Sequence, residues 1–171
     1  MEEIEVPTEH LHETIEEKVE EAVESKEKKN MMAIAISTAL MAVFAALSSL
    51  IAGHHSDEAV LEQIHASDQW AYYQAKGIKQ EIQSLSNNAD KESNISRYKS
   101  EQAEIKKEAE AAESASHQHL EHHAILARAV TLFQISIAIS AIAILTRKKI
   151  LWFAGLGISC VGLFYFISGL F

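Results

Sequence analysis

Residues 31–52 read MMAIAISTALMAVFAALSSLIA, a run without a single charged side chain. At a helical rise of about 1.5 Å per residue, this run is about 33 Å long, which is enough to cross a hydrocarbon core of about 30 Å. Residues 124–145 and 150–171 form two further apolar segments, and Arg128 near the start of the former is the only charged residue within them. The sequence therefore predicts an all-α membrane protein with three transmembrane helices.

Charge is sorted into blocks along the chain. Residues 1–30 hold eleven Glu and four Lys (net −7), and residues 53–123 hold thirteen acidic and seven basic side chains (net −6). Residues 124–171 hold no acidic side chain and four basic ones (net +4). Such sorting is typical of a membrane protein, and the acidic polar segments argue against a nucleic-acid partner, which requires clustered Lys and Arg. We expect the lipid bilayer as a partner and no nucleic acid.

The positions of Lys and Arg predict an orientation. Three Lys lie at 26–29 before the first span, and Arg147, Lys148 and Lys149 follow the second. Residues 53–75 and 108–123, which flank the opposite ends of these spans, contain no Lys or Arg. By the positive-inside rule, the N-terminus and a turn at 146–149 are cytoplasmic, whereas residues 53–123 and the C-terminus lie on the outer side.

The segment 1–30 is predicted to be an acidic, cytoplasmic, amphipathic helix. Its apolar side chains recur on one face, and the other faces are mostly Glu. This pattern favours a solvated helix that pairs with its own copies or its own protein, because helices that bind membrane surfaces carry Lys and Arg on the polar face. The apolar face consists of Leu11, Ile15, Val19, Ala22 and Val23.

Residues 53–123 are predicted to form an antiparallel helical hairpin outside the membrane. From residue 57 onward they contain no Pro and a single Gly, and they are rich in Ala, Glu, Gln and Lys, which favour helices. The only loop signal is Ser-Asn-Asn-Ala-Asp at 86–90. Two helices of about 30 residues should therefore meet at a turn near Asn88.

Each arm of this hairpin carries residues spaced alternately by three and four, which is the pattern of coiled-coil packing. The first heptad stripe comprises Leu61, Ile64, Asp68, Ala71, Ala75, Ile78, Ile82 and Leu85, and it continues backwards through His54, Leu50, Leu47, Val43 and Leu40. The second heptad stripe comprises Ile95, Tyr98, Gln102, Ile105, Ala109, Ala112, Ser116, His119 and His123, and it continues through Leu126, Val130, Phe133 and Ile137. We expect the two stripes to face each other, with each long helix crossing the membrane and continuing into a coiled-coil hairpin.

A resemblance to a known family begins at residues 68–79, DQWAYYQAKGIK. Together with the acidic N-terminal helix and the three spans, this run resembles a family of small bacterial membrane proteins catalogued only as a domain of unknown function (DUF4337). The resemblance covers most of the chain, and its most specific part is Trp70 to Lys76. It implies a location in the bacterial inner (cytoplasmic) membrane, with the hairpin in the periplasm or outside the cell. It carries over no catalytic residues.

Within this run, Trp70, Tyr73 and Gly77 share one helix face away from the first heptad stripe. Exposed aromatic rings of this size require a cover, and Gly77 leaves room beside them. We expect another copy of the chain to pack there, which makes these residues a candidate oligomer or partner interface. Packing against the other arm of the hairpin and binding of a small ligand are the alternatives.

Six of the nine histidines lie at the base of the hairpin: His54, His55, His117, His119, His122 and His123. With a turn near Asn88, His54 and Asp57 of one arm should meet His119 and His123 of the other. Three imidazoles and one carboxylate are a ligand set that suits Zn²⁺ or a similar transition metal. No cofactor is certain from the sequence, because no fixed metal motif accompanies these residues.

Other readings of the histidines remain open. They could be packing residues at the membrane interface, where a polar tip reaches water, or a proton-responsive cluster, because facing imidazoles repel when both are charged. A register shift of one residue would bring His55, Glu58, His117 and His122 to the same place instead.

Three functions are compatible with this pattern. The first is a homo-oligomeric membrane scaffold or accessory subunit that acts through coiled-coil contacts, with a further protein partner as an option. The second is a metal- or proton-responsive membrane sensor, and the third is a small channel or transporter. We do not expect an enzyme, because the sequence contains no nucleophile-and-base pair, phosphate loop or cofactor motif.

Overall fold

A computed structural model describes residues 8–86 and 90–171. These residues form three α-helices: α1 (Thr8–Leu85), α2 (Lys91–Thr146) and α3 (Lys149–Ser168). Within these two ranges there is no β-strand. Residues 1–7 of the predicted acidic helix and residues 87–89 of the predicted turn lie outside the described residues.

The helices α1 and α2 are both much longer than a bilayer is thick. With 78 residues, α1 extends for about 117 Å. It runs without a break from the acidic segment through residues 31–52 into the hairpin, since residues 8–52 contain neither Pro nor Gly to interrupt it. All three helices are long and apolar enough to cross a membrane. The acidic segment is thus the start of the first long helix and not a separate element.

The helices α1 and α2 pack against each other as an antiparallel pair. At one end, Arg147 lies 3.4 Å from the carboxylate of Glu27. Further along, the Ser116 hydroxyl donates a hydrogen bond to the Ala59 carbonyl oxygen at 2.8 Å. Contacts continue toward the far end of the hairpin, where Lys76 pairs with Glu101. Both long helices thus run without a break from their apolar segments into the hairpin.

The helix α3 packs closely on α2 and touches α1 at few points. The turn between α2 and α3 consists of Arg147 and Lys148, shorter than the predicted 146–149, and Arg147 has a left-handed backbone with φ 54°. Gly155 and Gly162 are buried against α2. A Cβ atom at Gly155 would lie only 3.1 Å from the Ser140 hydroxyl, so small residues allow these backbones to approach closely.

A core forms where the three apolar segments meet. Met41, Ala129 and Phe133 are buried at its centre. The ring of Phe44 stacks on that of Phe133 at a centroid distance of 5.9 Å and meets Phe166 edge-on at the same distance. This cluster, with one residue or more from every helix, ties α1 and α3 to the same region of α2.

The predicted packing of the two heptad stripes is correct for α2 and wrong for α1. Every member of the second heptad stripe is buried or half-buried. Every member of the first is exposed. The face of α1 that meets α2 instead carries Ala52, Ala59 and Ala66, which are 5%, 2% and 1% exposed. Small side chains at this spacing let α2 approach the α1 backbone, and the large Leu and Ile side chains then point away.

Candidate functional sites on the hairpin

The histidines at the hairpin base meet in a combination different from the predicted one. His55 on α1 faces α2, and its Nδ1 atom lies 3.0 Å from Nδ1 of His119. The ring of His55 also stacks on that of His122 at a centroid distance of 5.1 Å. Because α1 turns its small-residue face toward α2, His55 replaces His54 at the contact.

Two neighbouring histidines are held by backbone carbonyls. Nδ1 of His123 donates a hydrogen bond to the Ala52 carbonyl oxygen at 2.8 Å. Nδ1 of His122 donates to the carbonyl oxygen of Gly169, at the end of α3, at 3.2 Å. These bonds fix both rings and connect the hairpin base to all three helices, so the base is a structural junction as well as a cluster of titratable groups.

The four predicted metal ligands are not gathered within one chain. His54 and Asp57 are exposed, His119 contacts His55, and His123 is bound to the Ala52 carbonyl. Among the side chains that the structure describes, which leave out most of those of residues 8–25, no group of three or more His, Cys, Asp or Glu is arranged to hold a metal ion. Zinc binding by His54, Asp57, His119 and His123 stays a prediction.

The electrostatics of the cluster favour a neutral His55. Burial lowers the pKa of His55 below its ordinary value, and the nearby imidazoles of His122, His119, His54 and His123 lower it further when they are charged. A neutral pair suits the observed contact, because one Nδ1 must donate a proton while the other accepts it. Protonation of both rings would place two N–H donors against each other.

The Trp70 to Lys76 run contacts the second arm of the hairpin through Lys76. The side chain of Lys76, which is 13% exposed, forms a salt bridge with Glu101 of α2. Its ammonium also lies 5.0 Å from the ring centroid of Tyr72 and 5.7 Å from that of Tyr98. The hydrogen bond between Lys76 and Glu101 raises the pKa of the lysine and lowers that of the glutamate. This salt bridge joins the two arms of the hairpin. An antiparallel pairing about the predicted turn near Asn88 sets residue 76 opposite residue 101, and this is the sequence signal that could have found the pair.

The predicted interface of Trp70, Tyr73 and Gly77 lies on the side of α1 nearer to α2. The rings of Trp70 and Tyr73 meet edge-on at 5.7 Å, and all three residues are half-buried. A Cβ atom at Gly77 would be 3.7 Å from the side-chain nitrogen of Gln102 on α2. Part of this face is therefore covered by the chain itself. Its use between copies stays a prediction.

The exposed apolar side chains of the hairpin are concentrated on one helix. Between residues 57 and 123, eight large apolar residues of the described chain are exposed, and seven of them belong to α1. Leu120 is the only one on α2. The seven on α1 are Val60, Leu61, Ile64, Tyr72, Ile78, Ile82 and Leu85. The exposed large apolar side chains of the hairpin therefore lie mainly on α1.

Over the described residues, these features define an all-helical protein whose three helices are long and apolar enough to span a membrane, with a polar hairpin between the first two apolar segments. The family model described as "Domain of unknown function (DUF4337)" matches residues 30–171, and the chain belongs to this family. Searches of curated proteins and of solved structures gave no match.

Proposed function

We propose that this chain is a homo-oligomeric membrane scaffold or accessory subunit that acts through coiled-coil contacts of its hairpin. The N-terminus lies in the cytoplasm of a bacterial cell, and the hairpin stands on the outer side of the inner membrane. The observation that carries this proposal is the row of exposed apolar side chains on the water-facing part of α1. A surface of this kind marks a site of protein association.

The contacts between the two arms of the hairpin support the same role. Ser116 and Ala59, Lys76 and Glu101, and Gln80 and Gln102 cross-link its two arms by hydrogen bonds or a salt bridge. Both arms continue without a break into membrane helices. A rod fixed in this way holds its surface at a set height above the bilayer, which is what a scaffold requires.

The mass of the complex tests this proposal. The chain, extracted in a mild detergent and measured by light scattering with the detergent subtracted, should have a mass of at least two chains. A strictly monomeric mass at every protein concentration would overturn the proposal.

Labelling of single cysteines tests the orientation. A Cys160→Ser background removes the only native thiol. In intact cells, Ser84→Cys at the far end of the hairpin should react with an impermeant reagent, and Lys148→Cys should react only after permeabilisation. The reverse result would invert the proposed topology.

A proton-responsive sensor is the second candidate function. The contact between His55 and His119 at 3.0 Å favours it, because protonation of both rings would break this contact at the point where the helices meet. A sensor of this kind should change its state of assembly between about pH 7 and pH 5. Light scattering across this pH range, with His55→Gln as the control, separates this role from a passive scaffold.

A further inference from the structure

The first heptad stripe extends further than the hairpin. From Ala33 to Leu85, positions spaced alternately by three and four form one unbroken series, and every one of them is exposed. Its members are Ala33, Ile36, Leu40, Val43, Leu47, Leu50, His54, Asp57, Leu61, Ile64, Asp68, Ala71, Ala75, Ile78, Ile82 and Leu85. The series runs through the first span and the whole first arm of the hairpin without a change of spacing.

A spacing of 3.5 residues has a definite structural meaning. Such a stripe stays in contact with a neighbouring helix only when the two helices supercoil around each other. The helix α2 does not occupy this stripe, because it packs on the face that carries Ala52, Ala59 and Ala66. A second helix therefore has a place on α1 that nothing in the described part of the chain fills.

Lipid covers only part of this stripe. Leu40, Val43 and Leu47 lie in the apolar segment 31–52, where exposed side chains face hydrocarbon. Ile78, in contrast, is 26 residues beyond Ala52 and so stands about 39 Å further along the helix. It is 60% exposed, and Ile82 and Leu85 beyond it are 63% and 86% exposed. A partner that covers the whole stripe, including its part beyond the bilayer, must therefore be a protein.

We propose that the first heptad stripe of α1 binds the same stripe of a second copy of this chain, parallel and in register. This proposal rests on the proposed function and names the surface and partner that it requires. A partner must itself pass from lipid to water at the same height while keeping a 3.5-residue spacing. A second copy meets both conditions, and copies inserted with one topology are necessarily parallel.

The side chains that flank the stripe are compatible with a parallel, in-register alignment. The seven-residue repeats on the hairpin begin at Leu61, Asp68, Ala75 and Ile82. In a parallel coiled coil, the residue just before the start of a repeat approaches the residue five positions later on the other chain. The pairs on the hairpin are then Val60 with His65, Ser67 with Tyr72, Gln74 with Lys79, and Glu81 with Ser86. None of these pairs sets like charges against each other. The alignment required by the membrane thus sets no like charges against each other along the flanks, whereas Asp57 and Asp68 within the stripe each face their own copy.

Polar residues within the stripe define the register. Asp68 lies between the apolar layers of Ile64 and Ala71, and His54 with Asp57 lies next to the membrane end. A polar residue at such a position lowers the stability of a coiled coil and selects one register, because a shift by one repeat would set Asp68 of one copy against Leu61 of the other. Self-pairing keeps Asp68 opposite its own copy, between the layers of Ile64 and Ala71, and the two like charges lower the stability of the pair.

Cysteine cross-linking in native membranes tests the surface. In the Cys160→Ser background, Ile64→Cys and Ile78→Cys place single thiols on the stripe, and Gln63→Cys places one on an exposed position that faces away from it. A disulfide forms only when two Cα atoms come within about 7 Å. After mild oxidation, Ile64→Cys and Ile78→Cys should form dimers, and Gln63→Cys should form at least tenfold fewer.

The outcomes separate this inference from the proposed function. Dimers at Gln63→Cys or Trp70→Cys, with none at Ile64→Cys and Ile78→Cys, would overturn the inference while the complex remained oligomeric. A monomeric mass of the native chain would overturn both. A mixture of Ile64→Cys and Ile78→Cys chains that yields mainly the mixed dimer would overturn the register.

A charge substitution supplies a second test. Ile78→Asp should abolish the higher-mass species, whereas Gln63→Glu, with a new charge on a face away from the stripe, should leave the mass unchanged. Hydrogen exchange in α2 should stay the same in both variants, since Ile78 does not pack on α2. Asp68→Leu should shift the equilibrium toward the assembled species. An unchanged mass for Ile78→Asp would contradict the proposed surface.

Discussion

The two arms of the hairpin carry the same spacing of residues but use it differently. On α2, Ile105 is 6% exposed and Ala109 is fully buried, because α1 covers this stripe. On α1, Leu61 is 59% and Ile64 is 54% exposed, because α2 packs on the opposite side of that helix. A heptad stripe indicates that a face is suited to contact with a helix. It does not indicate whether that helix belongs to the same chain.

The largest expected difference in the free energy of unfolding is between substitutions of two isoleucines in this hairpin. Ile105→Ala should lower the free energy of unfolding by about 2–5 kcal/mol, because it removes a buried side chain and leaves a cavity. Ile78→Ala, at a position that is 60% exposed, should change the stability of the single chain by less than about 0.5 kcal/mol. Hydrogen exchange in detergent, at protein concentrations where the chain is monomeric, measures both. A similar loss in the two variants would show that the first heptad stripe is covered within the chain.

A smaller effect is expected at the contact between the arms. Ser116, which is 2% exposed, donates its hydrogen bond to Ala59 across the hairpin. Ser116→Ala should lower the free energy of unfolding by about 0.5–1.5 kcal/mol, the net contribution of one hydrogen bond. Ser114→Ala is the matched control, since Ser114 is exposed on the same helix. Thermal unfolding followed by circular dichroism compares them, and equal melting temperatures would argue against a close approach of α1 and α2 here.

The smallest expected effect is the pH dependence of stability, which is compared at two adjacent histidines of α1, the exposed His54 and the half-buried His55. Because the pKa of His55 is lowered in the folded chain, the unfolded chain binds more protons as the pH falls. The stability that a neutral His55 provides is therefore present above its ordinary pKa of 6.5 and is lost as the pH falls through the lower folded value.

His55→Gln should reduce this loss of stability. His54→Gln, on the exposed stripe, should retain most of it, although the charge of His54 also contributes to lowering the pKa of its neighbour. Melting temperatures between pH 8 and pH 5 give the comparison. Identical pH profiles for the wild type and His55→Gln would show that the contact between His55 and His119 carries no proton linkage.

The histidine base shows how one rotation of a helix changes a candidate site. The predicted cluster required the face of α1 with His54 and Asp57 to meet α2. Ala52, Ala59 and Ala66 instead occupy the contact, which brings His55 to His119. The register was nearly right, and the error lay in the choice of face, since α1 has two faces with seven-residue spacing.

The sequence alone determined the helical class, the three apolar helices, the antiparallel hairpin and the buried face of α2. Apolar runs of sufficient length, a scarcity of helix breakers and a single apolar stripe on α2 favoured this arrangement. Only the tertiary structure decided which face of α1 meets α2. The physical reason is that small side chains gain contact by letting two backbones approach, whereas large ones gain it by burying their own surface. The seven-residue spacing is present on both faces of α1, and only the packed structure shows which of the two faces α2 covers.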